Sequence, residues 1–135
     1  MSTSDVELTY FYCDALTCPL LFFSSSTANA VLEAARKAKS PVIIQVSNGG
    51  GSFVAGKGLK FADSSAVGSV ALAMHVRSVA KYYGIPVILH SDHCAKNLLP
   101  WFDGMIKADE EFFAKYGEPL FGCTYRVILD KRERE

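Results

Sequence analysis

The chain has 135 residues, of which 50% are hydrophobic and 21% are charged, a composition typical of one globular domain or part of one. Its 14 basic and 14 acidic residues cancel, and no cluster of Lys and Arg is interleaved with aromatic residues. This balance argues against a nucleic-acid partner.

The cysteines and the first apolar run indicate where such a protein would reside. Four cysteines (Cys13, Cys18, Cys94 and Cys123) lack paired Cys-x-x-Cys spacing, so neither a disulfide framework nor a zinc ribbon is indicated. The apolar run 15–23 follows no Lys or Arg and is much shorter than the ~20 residues of a membrane span. We therefore expect a cytoplasmic protein with no membrane association.

The first half of the chain alternates between helix and strand patterns. Residues 28–39 are rich in Ala, Leu, Glu and Arg and predict a helix, with Ser26 and Thr27 as its cap. The apolar run 41–46 predicts a strand that is covered on both faces. A glycine-rich loop, 47–51, is expected to follow. By contrast, residues 1–23 show neither helical nor strand periodicity, and we predict no regular element there.

The second half continues the same alternation. A long helix over 65–83 is predicted to end at Gly84 and to bury apolar residues spaced three and four apart, namely Val67, Val70, Ala71, Met74, Val79 and Tyr82. A strand over 86–89 follows, and then helical segments over 95–115 that we expect to break at Pro100 and Gly104. Strands that alternate with helices indicate an α/β fold with a parallel sheet and right-handed crossovers.

The densest group of reactive side chains directly follows the second predicted strand, as His90-Ser91-Asp92-His93-Cys94. In α/β folds, ligands and catalytic groups lie at this end of a strand. A zinc site needs about three or four ligands, and two histidines three positions apart can both bind only if the backbone turns between them.

Each member of this group also has a purely structural interpretation. His90 and His93 can be hydrogen-bonded histidines at a strand end, and Asp92 can cap the next helix instead of transferring protons or orienting a histidine. Cys94 is expected to be a small buried residue. His75, in the middle of a predicted helix, is expected to be structural.

The glycine-rich loop carries a weaker signal. The run 47–51 can form a backbone nest for an anion such as phosphate, but it matches neither the P-loop nor the dinucleotide-binding spacing, and an ordinary turn explains it equally well. Lys57 and Lys96 lie outside the predicted strands. We assign them to solvent or phosphate contacts and not to a Schiff base.

Taken together, these motifs resemble class II fructose-bisphosphate aldolase, in the form found in fungi and many bacteria. The resemblance covers about residues 24–121 and is carried by the segments SSSTA (24–28), SNGG (47–50), AGKG (55–58), GIPVILHSDHCAK (84–96), LLPWFDGM (98–105) and GEPLF (117–121).

The resemblance implies a fold, a reaction and site residues. It implies a zinc-dependent (β/α)8 TIM barrel, usually a homodimer, that reversibly cleaves fructose 1,6-bisphosphate into dihydroxyacetone phosphate and glyceraldehyde 3-phosphate. His93 matches a ligand of the catalytic zinc, and Asp92 matches the group that exchanges a proton with the C4 oxygen. Ser47 matches a serine that contacts the sugar-phosphate substrate. The metal polarises the ketose carbonyl, so no lysine Schiff base is required.

The two ends of the chain depart from the family pattern. Leu21 stands where the family carries a substrate-contacting asparagine, and Gly122-Cys123-Thr124 replaces a Ser-Ser-His pattern. We therefore divide the chain into an atypical segment 1–23, a partial aldolase barrel 24–121 comprising the first few βα units, and an atypical charged tail 122–135. Back-translation of 14–24 permits a splice branch point and acceptor, which predicts intron-derived ends; a truncated gene copy is the alternative.

These features lead us to expect an inactive chain of an aldolase family. A barrel needs about 250 residues, and one histidine ligand is fewer than the three of a typical catalytic zinc site. Three alternatives remain. The first two are a non-catalytic chain that acts only by associating with a full-length aldolase subunit, and a gene-model artefact. A third, an unrelated zinc hydrolase built on His90 and His93, would need further ligands from His75 or Cys94.

Overall fold

The computed structural model of the chain describes residues 20–21, 24–56, 58 and 63–121. It contains three strands, β1 (Leu20–Leu21), β2 (Val42–Val46) and β3 (Val87–Ser91), and four α-helices, α1 (Ser25–Ala38), α2 (Asn48–Ala55), α3 (Ser64–Tyr83) and α4 (Leu99–Tyr116). A 3-10 turn, Lys96–Leu98, precedes α4. Lys57, the segment before Leu20 and the tail 122–135 lie outside the described residues, so the expectations for them stay predictions.

The three strands form a parallel sheet in the order β1-β2-β3, which confirms the predicted α/β fold. Strand β1 pairs with β2 through Leu20 with Ile44 and Leu21 with Gln45. The expectation that residues 1–23 hold no regular element is therefore wrong at Leu20–Leu21. Two residues are too few to produce a visible alternation, so the strand is defined by its pairing and not by its sequence pattern.

Strand β3 runs further than the sequence indicated. It pairs with β2 from Val42 with Val87 to Val46 with Ser91, so His90 and Ser91 belong to the strand and not to the loop after it. Since side chains alternate along a strand, one face of β2 and β3 carries Val42, Ile44, Val46, Val87, Leu89 and Ser91. These residues are buried except for Val87, which is partly buried, and the apolar ones pack into one core with residues of α1 and α3.

Helix α1 begins one turn earlier than predicted. Ser24, not Ser26 or Thr27, is its N-cap, and the Ser24 Oγ accepts the backbone N–H of Thr27 at 3.2 Å. The helix buries Ala28, Leu32 and Ala35, which lie three and four residues apart and face the sheet. It ends at Lys39, whose backbone is left-handed with φ 50°, and the Lys39 N–H bonds the Ala35 and Arg36 carbonyls.

The predicted glycine-rich loop is instead the start of helix α2. Ser47 is its N-cap, with extended backbone (φ −90°, ψ 161°), and its Oγ accepts the N–H of Gly50 at 3.0 Å. The nest and plain-turn interpretations of 47–51 are therefore both wrong. Three consecutive glycines are poor helix formers, and the serine cap together with packing against α3 stabilises this helix in spite of them.

Helix α3 has the predicted length and ends at Gly84, but of the six apolar residues expected to be buried only Val70 and Val79 pack, partly buried, against the core, and Ala71 is exposed. Val67, Met74 and Tyr82 are 51%, 43% and 71% exposed. Its buried residues are mostly small: Ser65, Ala66, Gly68, Ser69, Leu72, Ala73 and Val76. The cause is a close crossing with α2, because a Cβ atom on Gly68 would collide with the backbone of Gly51 and Ala55. Only a small-residue face permits this approach.

Helix α4 is continuous, so the predicted breaks at Pro100 and Gly104 are wrong. Pro100 lies in the first turn, where its missing N–H has no intrahelical partner to lose. Gly104 serves a helix crossing instead, because an added Cβ would lie 2.8 Å from the Ala66 Cβ. No helix within the described ranges has the length and apolar character to cross a membrane.

The last described segment, after α4, is fixed by two side chains that hold the same peptide group. Arg77 Nε donates to the Leu120 carbonyl at 2.9 Å, and Asp109 Oδ1 accepts the Phe121 N–H at 2.8 Å. Leu120 and Phe121 are buried. Burial lowers the pKa of Arg77, while the carboxylates of Glu118 and Asp109 act in the opposite direction. This clamp ties residues 118–121 to α3 and α4.

Replacing Arg77 with Met should destabilise the protein by about 2 kcal/mol, because a partly buried carbonyl loses its charged donor. Urea denaturation measures the loss, and hydrogen exchange should accelerate at the Phe121 amide. Arg36→Met is the matched control, since Arg36 donates to the Tyr82 carbonyl across a longer, exposed 3.4 Å contact. Equal losses in the two variants would contradict the assignment of the clamp.

Candidate functional site

The candidate site lies at the carboxyl ends of β2 and β3. Ser47 directly follows β2, and Asp92 and His93 directly follow β3. Because the two strands are parallel and paired in register, these residues reach the same edge of the sheet. In α/β folds this edge is where ligands bind, so the three predicted site residues occupy the expected end of the fold.

Asp92 is held to the neighbouring strand by two hydrogen bonds. Gln45 Nε2 donates to Asp92 Oδ1 at 2.6 Å, and the Asp92 backbone N–H donates to the Val46 carbonyl at 2.9 Å. The alternative that Asp92 caps the following helix is wrong, because neither the 3-10 turn nor α4 has a side-chain cap. With its side chain 21% exposed, Asp92 is fixed in place and still open to solvent on one side.

His93 stands beside this carboxylate and faces solvent. Its Nδ1 lies 3.6 Å from Asp92 Oδ1, and its side chain is 63% exposed. At that distance the contact is electrostatic and not a hydrogen bond, so Nδ1 is not committed to the carboxylate. An accessible imidazole next to an anchored carboxylate is an arrangement that suits a metal ligand or a proton-transfer pair.

The other two members of the reactive group are less accessible. His90 is a half-buried strand residue that pairs with Gln45 and shares its face of the sheet, and Cys94 is fully buried. Burial raises the pKa of the Cys94 thiol, and the charge of Asp103 raises it further, so this cysteine is an inert core residue, as expected. His75 lies away from this edge, and its Nε2 contacts Asn29 Oδ1 at 2.9 Å, joining α3 to α1.

These positions decide what metal chemistry the described residues support. Within residues 20–21, 24–56, 58 and 63–121, no three His, Cys, Asp or Glu side chains come together as a metal site. The third alternative, a zinc hydrolase using His75 or Cys94, therefore has no geometric basis. A catalytic zinc ion normally takes three protein ligands, and the described part of the chain brings no such set together.

Ser47 combines a structural bond with an available hydroxyl proton. Its Oγ accepts from Gly50, so the hydroxyl hydrogen can point away from the helix toward a ligand. The first turn of α2 adds backbone N–H groups and the positive end of the helix dipole, which favour negatively charged groups. Lys96 is exposed at the start of the 3-10 turn, in accord with its assignment to solvent or phosphate.

The sequence reasoning missed Gln45. The signal was present, because Gln45 is the one polar residue in the strand VIIQV and lies one position before its end. A polar side chain at this place in a covered strand needs a hydrogen-bond partner. Its partner, Asp92, is 47 positions away in the sequence, so only the strand register connects them.

The chain is similar to class II fructose-bisphosphate aldolases over most of its length. The family model described as "Fructose-bisphosphate aldolase class-II" matches residues 19–117. A fructose-bisphosphate aldolase from Kluyveromyces lactis is 64% identical over 114 residues, which are 83% of this chain and 32% of that protein. The class 2 enzyme of Escherichia coli is 54% identical over 100 residues, or 72% of this chain and 28% of that protein.

The structural comparison agrees with the sequence comparison. A crystal structure of a fructose-bisphosphate aldolase from Campylobacter jejuni matches with a TM-score of 0.82 and 40% identity, covering 100% of this chain and 39% of that one. The chain thus spans about a third of the length of the curated relatives it matches. The family match begins at residue 19 and so includes β1, whereas the motifs that carry the resemblance begin at residue 24. The division of the chain into three segments stays a prediction.

Gln45 and Asp92 should be energetically coupled. Replacing Gln45 with Met keeps the side-chain length but removes the donor, and Asp92→Leu removes the acceptor, so a double-mutant cycle of the two should give a coupling of about 1–2 kcal/mol. Urea denaturation of the four proteins provides the measurement. Asn97→Met, which replaces an exposed amide on the 3-10 turn, is the control. Additive effects of Gln45→Met and Asp92→Leu would refute the anchoring role.

Proposed function

Because the chain belongs to the class II fructose-bisphosphate aldolase family, we propose that the sheet edge of Ser47, Asp92 and His93 is one wall of an aldolase active site. The reaction is a lyase reaction of glycolysis and gluconeogenesis, the reversible cleavage of fructose 1,6-bisphosphate into dihydroxyacetone phosphate and glyceraldehyde 3-phosphate. The observation that carries the proposal is the anchored carboxylate of Asp92, 2.6 Å from Gln45 and beside an exposed histidine.

The proposed architecture is the first few βα units of a (β/α)8 TIM barrel. In its support, β1, β2 and β3 are parallel and sequential, and helices α1 and α3 connect them as in βα units. The further proposals, a homodimer in the cytoplasm, rest on the family resemblance alone.

Asp92 is proposed to exchange a proton with the C4 oxygen of the sugar. Gln45 engages Oδ1, so we assign the proton exchange to Oδ2. A base that is held at its carboxylate and at its backbone needs little rearrangement to meet the substrate hydroxyl, which is the purpose of positioning in acid–base catalysis.

Ser47 is proposed to contact the sugar phosphate with its hydroxyl. The Gly50 N–H already satisfies an Oγ lone pair, which directs the hydroxyl proton outward as a donor. The neighbouring first turn of α2 favours an anion by its dipole, and this supports a phosphorylated substrate over a neutral sugar.

His93 is proposed as one ligand of the zinc ion. The ion, when bound, would polarise the ketose carbonyl. The exposed imidazole fits this role, but the remaining ligands must come from outside the described residues, since no group of three potential ligands exists within them. We therefore expect the isolated polypeptide 1–135 to show no aldol cleavage with added zinc.

A chimera provides the test of this function. Residues 19–117 of this chain replace the matching segment of the Kluyveromyces lactis enzyme. The chimera should cleave fructose 1,6-bisphosphate. Within the chimera, Asp92→Asn should lower kcat by about 10²–10⁴-fold, because the proton-transfer group is lost. His93→Ala should abolish activity and zinc binding together, because a zinc ligand is lost. Ser47→Ala should raise KM by about tenfold, because one hydrogen bond to a charged phosphate is lost.

The control for the chimera is Glu110→Gln, which neutralises an exposed carboxylate on α4 and should leave kcat and KM unchanged. A folded, zinc-loaded chimera in which Asp92→Asn remains fully active would refute the role of Asp92. Metal-dependent turnover by the isolated chain would refute the expectation that it is inactive.

A second candidate function is association with a full-length aldolase subunit without catalysis. It is favoured by strand β3, which among the described residues pairs only with β2 and so has one unpaired edge. Unpaired parallel edges favour pairing with another chain.

Co-purification tests this candidate. Tagged 1–135 co-expressed with the Kluyveromyces lactis enzyme should retain that enzyme at a fixed stoichiometry. Pro86 and Asp92 bond to β2, so the alternate residue Val87 directs its N–H to the open edge, and Val87→Pro should reduce the retention because proline removes that N–H. The control is Lys107→Glu, at an exposed position on α4, which should leave the retention unchanged. No retention above background would exclude association.

A further inference from the structure

Two buried hydrogen bonds join helix α4 to helix α3 at the point where the start of helix α2 packs. Trp101, the one tryptophan in the sequence, is 3% exposed, and its Nε1 donates to Ser69 Oγ at 3.1 Å. Ser69 is fully buried and donates its own hydroxyl proton to the Ser65 carbonyl at 2.7 Å. The Ser69 hydroxyl thus accepts one hydrogen bond and donates another, which fixes its rotamer.

Gly51 of helix α2 lies directly on this fixed hydroxyl. A Cβ atom built on Gly51 would collide with the Ser65 carbonyl oxygen and with Ser69 Oγ. From the other side, a Cβ on Gly68 would collide with the Gly51 carbonyl oxygen. Gly51 therefore has no room for a side chain, and the separation of α2 from α3 is set by these backbone atoms and the Ser69 hydroxyl.

The same glycine lies in the first turn of helix α2, which Ser47 caps. The Gly51 N–H donates to the Ser47 carbonyl at 2.9 Å, and the preceding Gly50 N–H donates to Ser47 Oγ at 3.0 Å. A shift of Gly51 across the Ser69 hydroxyl would consequently move both hydrogen bonds that orient Ser47. Trp101 and Ser69 hydrogen-bond to each other and to the Ser65 carbonyl, and they act on Ser47 through Gly51.

We propose that Trp101 and Ser69 are positioning residues that set the first turn of α2, and through it the Ser47 hydroxyl, for contact with the sugar-phosphate substrate. The part that concerns substrate rests on the proposed function of Ser47. The part that concerns geometry rests on the contacts of Trp101, Ser69 and Gly51 and is independent of it.

Hydrogen exchange at single amides tests the geometric part. In the full chain, Ser69→Ala and Trp101→Phe should each raise the exchange rates of the Gly50 and Gly51 amides by about tenfold relative to the β2 amides, as expected when one buried hydrogen bond is lost. Trp101→Phe keeps a ring in the core, so it decides the test if Ser69→Ala does not fold.

Ser78→Ala is the matched control. Ser78 lies on the same helix and donates to the backbone carbonyl of His75 at 2.7 Å, but it is exposed. This variant should leave the Gly50 and Gly51 rates unchanged. The proposal is overturned if Ser78→Ala raises them equally, or if Ser69→Ala and Trp101→Phe change them only in proportion to the β2 amides.

A titration with fructose 1,6-bisphosphate tests the part that concerns substrate, with the Gly50 amide shift as the signal. The wild-type chain should bind, and both variants should raise Kd by about tenfold. Binding with unchanged Kd in the variants overturns the link from Ser69 to substrate. No binding by the wild-type chain refutes the substrate contact proposed for Ser47, while the exchange rates still decide the geometric part.

Discussion

The parallel register between β2 and β3 is the constraint on which the candidate site depends. Val46 pairs with Ser91, so the residues that follow the two strands leave the sheet side by side. The Asp92 N–H continues the pairing to the Val46 carbonyl, and the pairing of Gln45 with His90 brings the Gln45 amide within reach of the Asp92 carboxylate. A shift of one residue would send Gln45 to the opposite face and leave the carboxylate without its donor.

Close helix packing determines how the rest of the chain arranges itself around that sheet. Because Gly68 and Gly51 bring α3 and α2 almost into backbone contact, α3 turns its small residues inward and exposes Val67 and Met74. A single exposed apolar side chain lowers the stability of the fold only modestly. The close crossing of α2 and α3 offsets that loss, because many atoms gain dispersion contacts there. The same crossing supports a helix with three glycines at its start, which its own propensity would not.

Local sequence signals predicted the elements well and their contacts poorly. The spacing of apolar residues and the glycine at position 84 correctly located α3, but apolar periodicity pointed to Val67, Met74 and Tyr82 as the buried face. The error has a physical reason: hydropathy ranks Gly and Ser below Val, whereas a close crossing selects for size. Gln45 was missed for a related reason, since its partner is distant in sequence and no local pattern reports a pairing register. The positions of Ser47, Asp92 and His93 at one edge did follow from the sequence, because parallel strands fix which ends meet.

The two adjacent residues Asp92 and His93 are held to very different degrees, and the proposed chemistry accounts for the difference. Asp92 has a hydrogen bond at its carboxylate and another at its backbone, whereas His93 is 63% exposed with one electrostatic contact at 3.6 Å. A proton-transfer group must be positioned before the substrate arrives, because its efficiency depends on distance and direction. A metal ligand gains its orientation from the bond to the ion and from its fellow ligands. On this argument the exposure of His93 suits the ligand role proposed for it, and the two hydrogen bonds that position Asp92 both come from β2.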